Sequence, residues 1–140
     1  MSTLSSAPTA ASMRSLTPLL QRLPLRGVLA FDASTGIIMG LLLSLMPVPL
    51  SAGLGLPAAL LVGAGLLLFP SAALMLLASA RPYIVLVGLV VFGNVAWVAA
   101  SVLVLVLMGP TVLGAVFVAG QAVVVAVLAW VEWQLRVQAR

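Results

Sequence analysis

The sequence predicts an all-α integral membrane protein, a four-helix bundle with both ends on the cytoplasmic side. Three observations lead there. The chain of 140 residues is 64 % hydrophobic and only 6 % charged, where soluble domains carry roughly 45–50 % and 25 %. Four apolar stretches are each long enough to cross a bilayer. Its positive charges all fall in alternate connections between those stretches. A soluble chain of this size has too much surface for its volume to hide so many apolar groups.

The spans follow in order. A hydrocarbon core about 30 Å thick needs roughly 20 apolar residues in a helix, and backbone groups in lipid must be satisfied within the segment. The first span is expected at 28–46, closed by the turn residues Pro47, Pro49, Ser51 and Gly53. The second is expected at 57–80, with Pro57 at an early helical position. The third covers 84–108 and stops at Gly109-Pro110; the fourth covers 113–133. The third span alone holds sixteen Leu, Ile, Val or Phe residues. At roughly −0.3 to −0.6 kcal/mol each, they favour insertion by about 5 to 10 kcal/mol, more than enough to carry one Asn.

Arginine placement sets the orientation. All six basic residues are arginines: Arg14, Arg22 and Arg26 precede span one, Arg81 follows span two, and Arg136 and Arg140 follow span four. Connections 47–56 and 109–112 carry no charge. The positive-inside rule makes the arginine side cytoplasmic. Tyr83, Trp130 and Trp133 fall near the same side, where amphipathic rings favour the interface. The domain division is a cytoplasmic tail (1–26), a transmembrane domain (27–136) and a cytoplasmic C-terminus (137–140). The tail is rich in Ser, Thr, Ala and Pro, and its first dozen residues are expected to be disordered. Leu16, Leu19, Leu20 and Leu23 beside Arg22 and Arg26 suit a short membrane-surface helix, although Pro18 and Pro24 limit its length. Asp32 and the length of the first apolar run argue against a cleaved signal peptide.

Polar groups inside the spans are the candidate site. Asp32 and Glu132 are the chain's two acids, and ionisable residues within a span are expensive enough to be functional candidates by default. Both are placed toward the cytoplasmic face. Glu132 is expected to pair with Arg136 at i,i+4, and Asp32 with Arg81 or Arg26, or to take a cap-like role at the start of span one. Asp32, Gly36, Gly40 and Ser44 recur every four residues and share one helix face. Gly36 and Gly40 form a GxxxG pattern that lets another helix approach closely. Asn94 and Gln121 sit near the midplane. Antiparallel pairing of spans three and four about position 111 puts Ser101 level with Gln121, which predicts an interhelical hydrogen bond. Pro70 predicts a kink with a freed carbonyl at Leu66, for which Ser71 or neighbouring helices are the expected partners.

The chain has no Cys, His or Lys. It therefore lacks thiolates, imidazole bases and ligands, and Schiff-base amines. No glycine-rich loop precedes a phosphate-binding residue. The methionines at the spans, Met39, Met46, Met75 and Met108, read as packing residues. The expectation is a non-enzymatic protein that needs no cofactor or metal and binds no nucleic acid.

The stretch Phe31-Asp32-Ala33, Thr35-Gly36, Gly93-Asn94, Trp97, Ser101, Gln121 and Glu132 resembles small four-helix inner-membrane proteins of bacteria with high-GC genomes. In general plan it is similar to DoxX-like proteins, over about residues 27–136. That resemblance implies architecture and a place in the bacterial inner membrane, not an activity. Small multidrug transporters share the size and helix count but place their acid well inside the first span, where this chain has Asp32 nearer the surface.

Three functions fit the sequence. The first is a scaffold or accessory subunit that binds other membrane proteins or its own copy through the small residues Gly36, Gly40, Ala96, Ala100, Ala115 and Ala119. The second is a small transporter or channel with Asp32 at its cytoplasmic mouth, drawing on Asn94, Gln121 and the Pro70 kink, with Glu132 as a further candidate polar group. The third is a quinone- or lipid-binding subunit, which draws on Tyr83, Trp130 and Trp133.

Overall fold

The structure, a computed structural model, describes the backbone of residues 24–138 and the side chains of residues 24–136. The expectations for residues 1–23, including Arg14 and Arg22, and for Arg140 lie outside the described residues. Those residues form five helices and no strand: α1 (Leu25–Leu45), α2 (Pro47–Leu54), α3 (Ala58–Ala80), α4 (Ile84–Met108) and α5 (Val112–Gln138). Helices α1, α3, α4 and α5 are long and apolar enough to cross a membrane. At 21, 23, 25 and 27 residues, they run about 31 to 40 Å at 1.5 Å per residue.

Two boundaries depart from the sequence expectation. α1 starts at Leu25 and α5 continues to Gln138, so both acids lie deeper than placed. The first connection is not a turn but the short helix α2. Pro47 and Pro49 stand in its first turn, where a missing N–H costs nothing. Gly55 closes α2 with φ 66°, a left-handed conformation that glycine adopts without Cβ strain.

The helices alternate direction and create two distinct poles. At one pole the Ser79 hydroxyl, at the end of α3, donates to the Arg26 carbonyl at 2.8 Å, at the start of α1. At the other, Thr111 ties the α4–α5 turn to α2. Its N–H donates to the Leu54 carbonyl at 3.0 Å and its hydroxyl to the Gly53 carbonyl at 2.8 Å. Both acceptors belong to the open C-terminal end of α2, so Thr111 satisfies carbonyls the helix cannot. Arg26, Arg81 and Arg136 mark the first pole, and the second carries no charge.

Packing divides the four spans into two antiparallel pairs, α1 with α3 and α4 with α5, with looser contact between the pairs. Gly40 and Gly65 are where α1 and α3 meet. A Cβ on Gly65 would stand 2.5 Å from the Ser44 hydroxyl and 2.9 Å from the Gly40 carbonyl oxygen. Gly36 faces Ala72 one turn away. The small-residue face of α1 is thus occupied within the chain. Two apolar cores form, one around Leu29, Ala33, Ala72, Met75, Val87 and Val90, the other around Leu43, Leu54, Leu56, Leu61 and Val118 at the uncharged pole. Large apolar side chains such as Ile38, Leu45, Phe92, Val106 and Val116 point outward, an arrangement that hydrocarbon tolerates and water does not.

Candidate functional site

Three helices bring three polar side chains to one point. Asp32 is the eighth residue of α1, Asn94 the eleventh of α4, and Glu132 stands six residues before the end of α5. At 1.5 Å per residue these positions lie about 10, 15 and 9 Å from the arginine pole, close enough in depth to meet. Asp32 is 4 % exposed, Asn94 5 % and Glu132 0 %.

The Asn94 amide nitrogen donates to Asp32 Oδ2 at 2.8 Å and to Glu132 Oε2 at 3.2 Å. Its two hydrogens match two acceptors, which fixes the amide with nitrogen toward the acids. Glu132 Oε1 is buried with no partner among the described residues. The arrangement therefore holds two acids together with a single neutral donor.

This corrects both expected ion pairs. Glu132 does not pair with Arg136 on an exposed helix end. It turns inward to Asn94, and the Arg136 guanidinium sits 5.3 Å from the Trp133 ring centre, a cation–π distance. A Cβ on Gly88 would meet that guanidinium at 2.9 Å, so α4 leaves room for it there. Asp32 takes Asn94 as its partner, while Arg26 and Arg81 are exposed. Nor does Asp32 cap α1, since nearly two turns of helix precede it.

A second polar group stands deeper. The Trp97 indole N–H donates to Gln121 Oε1 at 2.6 Å, the Gln121 amide donates to the Ser101 hydroxyl at 3.0 Å, and that hydroxyl donates to the Trp97 carbonyl at 2.9 Å. The Ser101–Gln121 bond expected from the hairpin register is present. Trp97 is the added member, and it closes the ring. Ser44 contributes no bond: its hydroxyl is buried and without a partner among the described residues. The Pro70 environment also differs from expectation. The Ser71 hydroxyl donates to the Leu67 carbonyl at 2.9 Å rather than to Leu66, because Leu67 is its own i−4 neighbour.

Two cavities lie between the helix pairs. One, of about 310 Å³, is lined by Asp32, Asn94, Trp97 and Gln121 among largely apolar walls that include Met39, Leu68, Met75 and Leu128. The other, of about 270 Å³, lies toward α2 and is lined by Leu43, Leu56, Leu61, Val104 and Phe117. Met39, Trp97 and Gln121 belong to both linings, so the Trp97–Gln121 bond forms part of the partition between them. Glu132 lies behind the first cavity, in contact with it through Asn94.

No protein-family model, curated protein or solved structure matches the chain. The site rests on its own chemistry. A carboxylate taken out of water costs several kcal/mol unless its charge is matched, and here two share one amide. Added positive charge, a proton or a cation, would lower that cost. Among the described residues no group of three or more acids, histidines or cysteines is placed to hold a metal ion.

The juxtaposition was partly visible in sequence. Pairing about position 111 puts Asn94 level with residue 128, one helical turn from Glu132, and Trp97 level with residue 125, one turn from Gln121. The part played by Asp32 had no such signal, because nothing local relates α1 to α4.

Proposed function

We propose that this chain is a small, non-enzymatic membrane carrier that holds a positive charge at Asp32–Asn94–Glu132 and passes it between the two helix pairs. The single observation that supports it is the burial of two acids from different helices around one amide, beside a cavity of about 310 Å³. Intramembrane acids that face the bundle interior mark ion and proton pathways. A site between two packed helical units is where rocking of one unit against the other would expose it alternately. The carrier resides in the plasma (inner) membrane with both ends in the cytoplasm, because the arginines gather at one pole.

Charge movement tests this. Reconstituted on a solid-supported membrane, the protein displaces charge transiently on a pH jump, and the isosteric double variant Asp32→Asn/Glu132→Gln abolishes the signal. A wild-type protein that gives no displacement beyond protein-free membranes, or a double variant that gives the same one, overturns the reading.

A partner-binding role is the second reading. Its strongest motive is weakened, since Gly36 and Gly40 pack against α3. Ala96 and Ala100 on α4 and Ala119 on α5 remain exposed, and such small residues let another membrane helix approach closely.

A further inference from the structure

The cavity beside Asp32 has a chemical bias that narrows its ligand. We infer that it binds an organic ammonium, a single positive charge carried on an apolar body. The inference rests on the carrier reading for its purpose, but not for its chemistry.

What the lining has left to offer narrows the ligand. The Thr35 hydroxyl donates to the Asp32 carbonyl and the Ser71 hydroxyl to the Leu67 carbonyl. Gln121 uses its oxygen on Trp97 and its amide on Ser101. Asn94 uses its amide nitrogen on the two acids. A hard inorganic cation such as Ca²⁺ needs six to eight oxygen ligands, and Mg²⁺ a near-ideal octahedron; side-chain oxygens are few in this largely apolar wall, and only those of Asp32 carry charge. An anion would face Asp32 with no basic side chain in the lining. A neutral apolar molecule would fill the space but leave the acids uncompensated.

An ammonium on an apolar body satisfies both halves of the site. Its charge meets the Asp32 carboxylate, and its body lies against Met39, Leu68, Met75 and Leu128. Trp97, pinned by its bond to Gln121, supplies an aromatic wall of the kind that favours quaternary ammonium groups. A volume of about 310 Å³ lies at the small end of ligand pockets, roughly 300–1,000 Å³, which points to a compact ligand with one ring or a short chain.

The test uses the full chain in detergent micelles and equilibrium dialysis against two probes of nearly identical shape. One is benzyltrimethylammonium; the other is neopentylbenzene, its neutral carbon isostere. Benzyltrimethylammonium binds saturably, and Asp32→Asn weakens it by about tenfold or more, equivalent to at least about 1.4 kcal/mol. Neopentylbenzene does not distinguish the two proteins. Leu128→Trp, which fills the cavity from its α5 wall, also blocks benzyltrimethylammonium and guards against a folding defect in the Asp32 variant. Binding of benzyltrimethylammonium no greater than to empty micelles overturns the inference. So does equal binding by Asp32→Asn, or preference for the neutral probe, which would identify a lipid- or quinone-like ligand instead. The two proposals fail separately. Charge displacement without ammonium binding removes this ligand class and leaves the carrier, whereas ammonium binding without charge displacement does the reverse.

Discussion

Asn94 is one neutral side chain doing the work that a cation does in most buried acid pairs. Its amide nitrogen reaches both carboxyl groups, at 2.8 and 3.2 Å. Hydrogen bonds to charged groups contribute about 1.5–3 kcal/mol each, and deleting one partner leaves the other buried and unpaired. Asn94→Ala is therefore expected to destabilise the protein by about 2–4 kcal/mol, measured by unfolding in a denaturing detergent. The sharper expectation is non-additivity: once Asp32 is Asn, the same substitution costs less, since part of the charge that Asn94 compensated has gone. Additive losses in that cycle would mean the amide and the acid do not interact. The Trp97–Gln121–Ser101 ring behaves differently. Its members are neutral, and hydrogen bonds between membrane helices average about 0.6 kcal/mol, so its value lies in fixing the indole rather than in stability.

At the scale of the helices, the face shared by Asp32, Gly36, Gly40 and Ser44 carries two roles. The glycines let α1 approach α3 at Gly65 and Ala72. That close approach leaves Asp32, on the same stripe, turned inward instead of toward lipid. Gly65 is the most crowded of the positions at this crossing, with Ser44, Gly40 and Leu43 all within 3.0 Å of an added Cβ. Gly65→Leu is expected to force the pair apart and cost about 1–3 kcal/mol or more, as overpacking does. It is read as a lower detergent-unfolding midpoint together with loss of a monodisperse elution peak. Gly63→Leu, on the same helix with open space around it, is the control and leaves both unchanged. If both variants behaved alike, the α1–α3 crossing would not be set by glycine contact.

For the whole molecule, the separation of charge is the organising fact. Every described arginine lies toward one pole, and the opposite pole is closed by Thr111 docking onto α2 without a single charge. The chain contains no cysteine, so introduced thiols report cleanly. With the protein in intact cells, Gly53→Cys is expected to react with a membrane-impermeant maleimide added outside, and Arg81→Cys only after the membrane is opened. Labelling of both from the same side would end the four-span topology. The two apolar cores hold the ends together while the cavities occupy the space between the pairs.

The sequence by itself determined the solvent, the number of spans and their limits to within a few residues, because hydrocarbon thickness and internal hydrogen bonding leave little choice for long apolar runs. It also determined the Ser101–Gln121 bond, since a tight hairpin converts sequence distance directly into depth. Local rules misled where a competing partner was remote. Glu132 has Arg136 one turn away but bonds Asn94, and residues 47–54 form a helix because its exposed carbonyls find Thr111 some sixty residues later. Only the tertiary structure decided that Asp32, Asn94 and Glu132 meet. Their encounter depends on how one helix pair is set against the other, and inter-pair packing is fixed by side-chain fit across the bundle, for which no stretch of sequence carries a period.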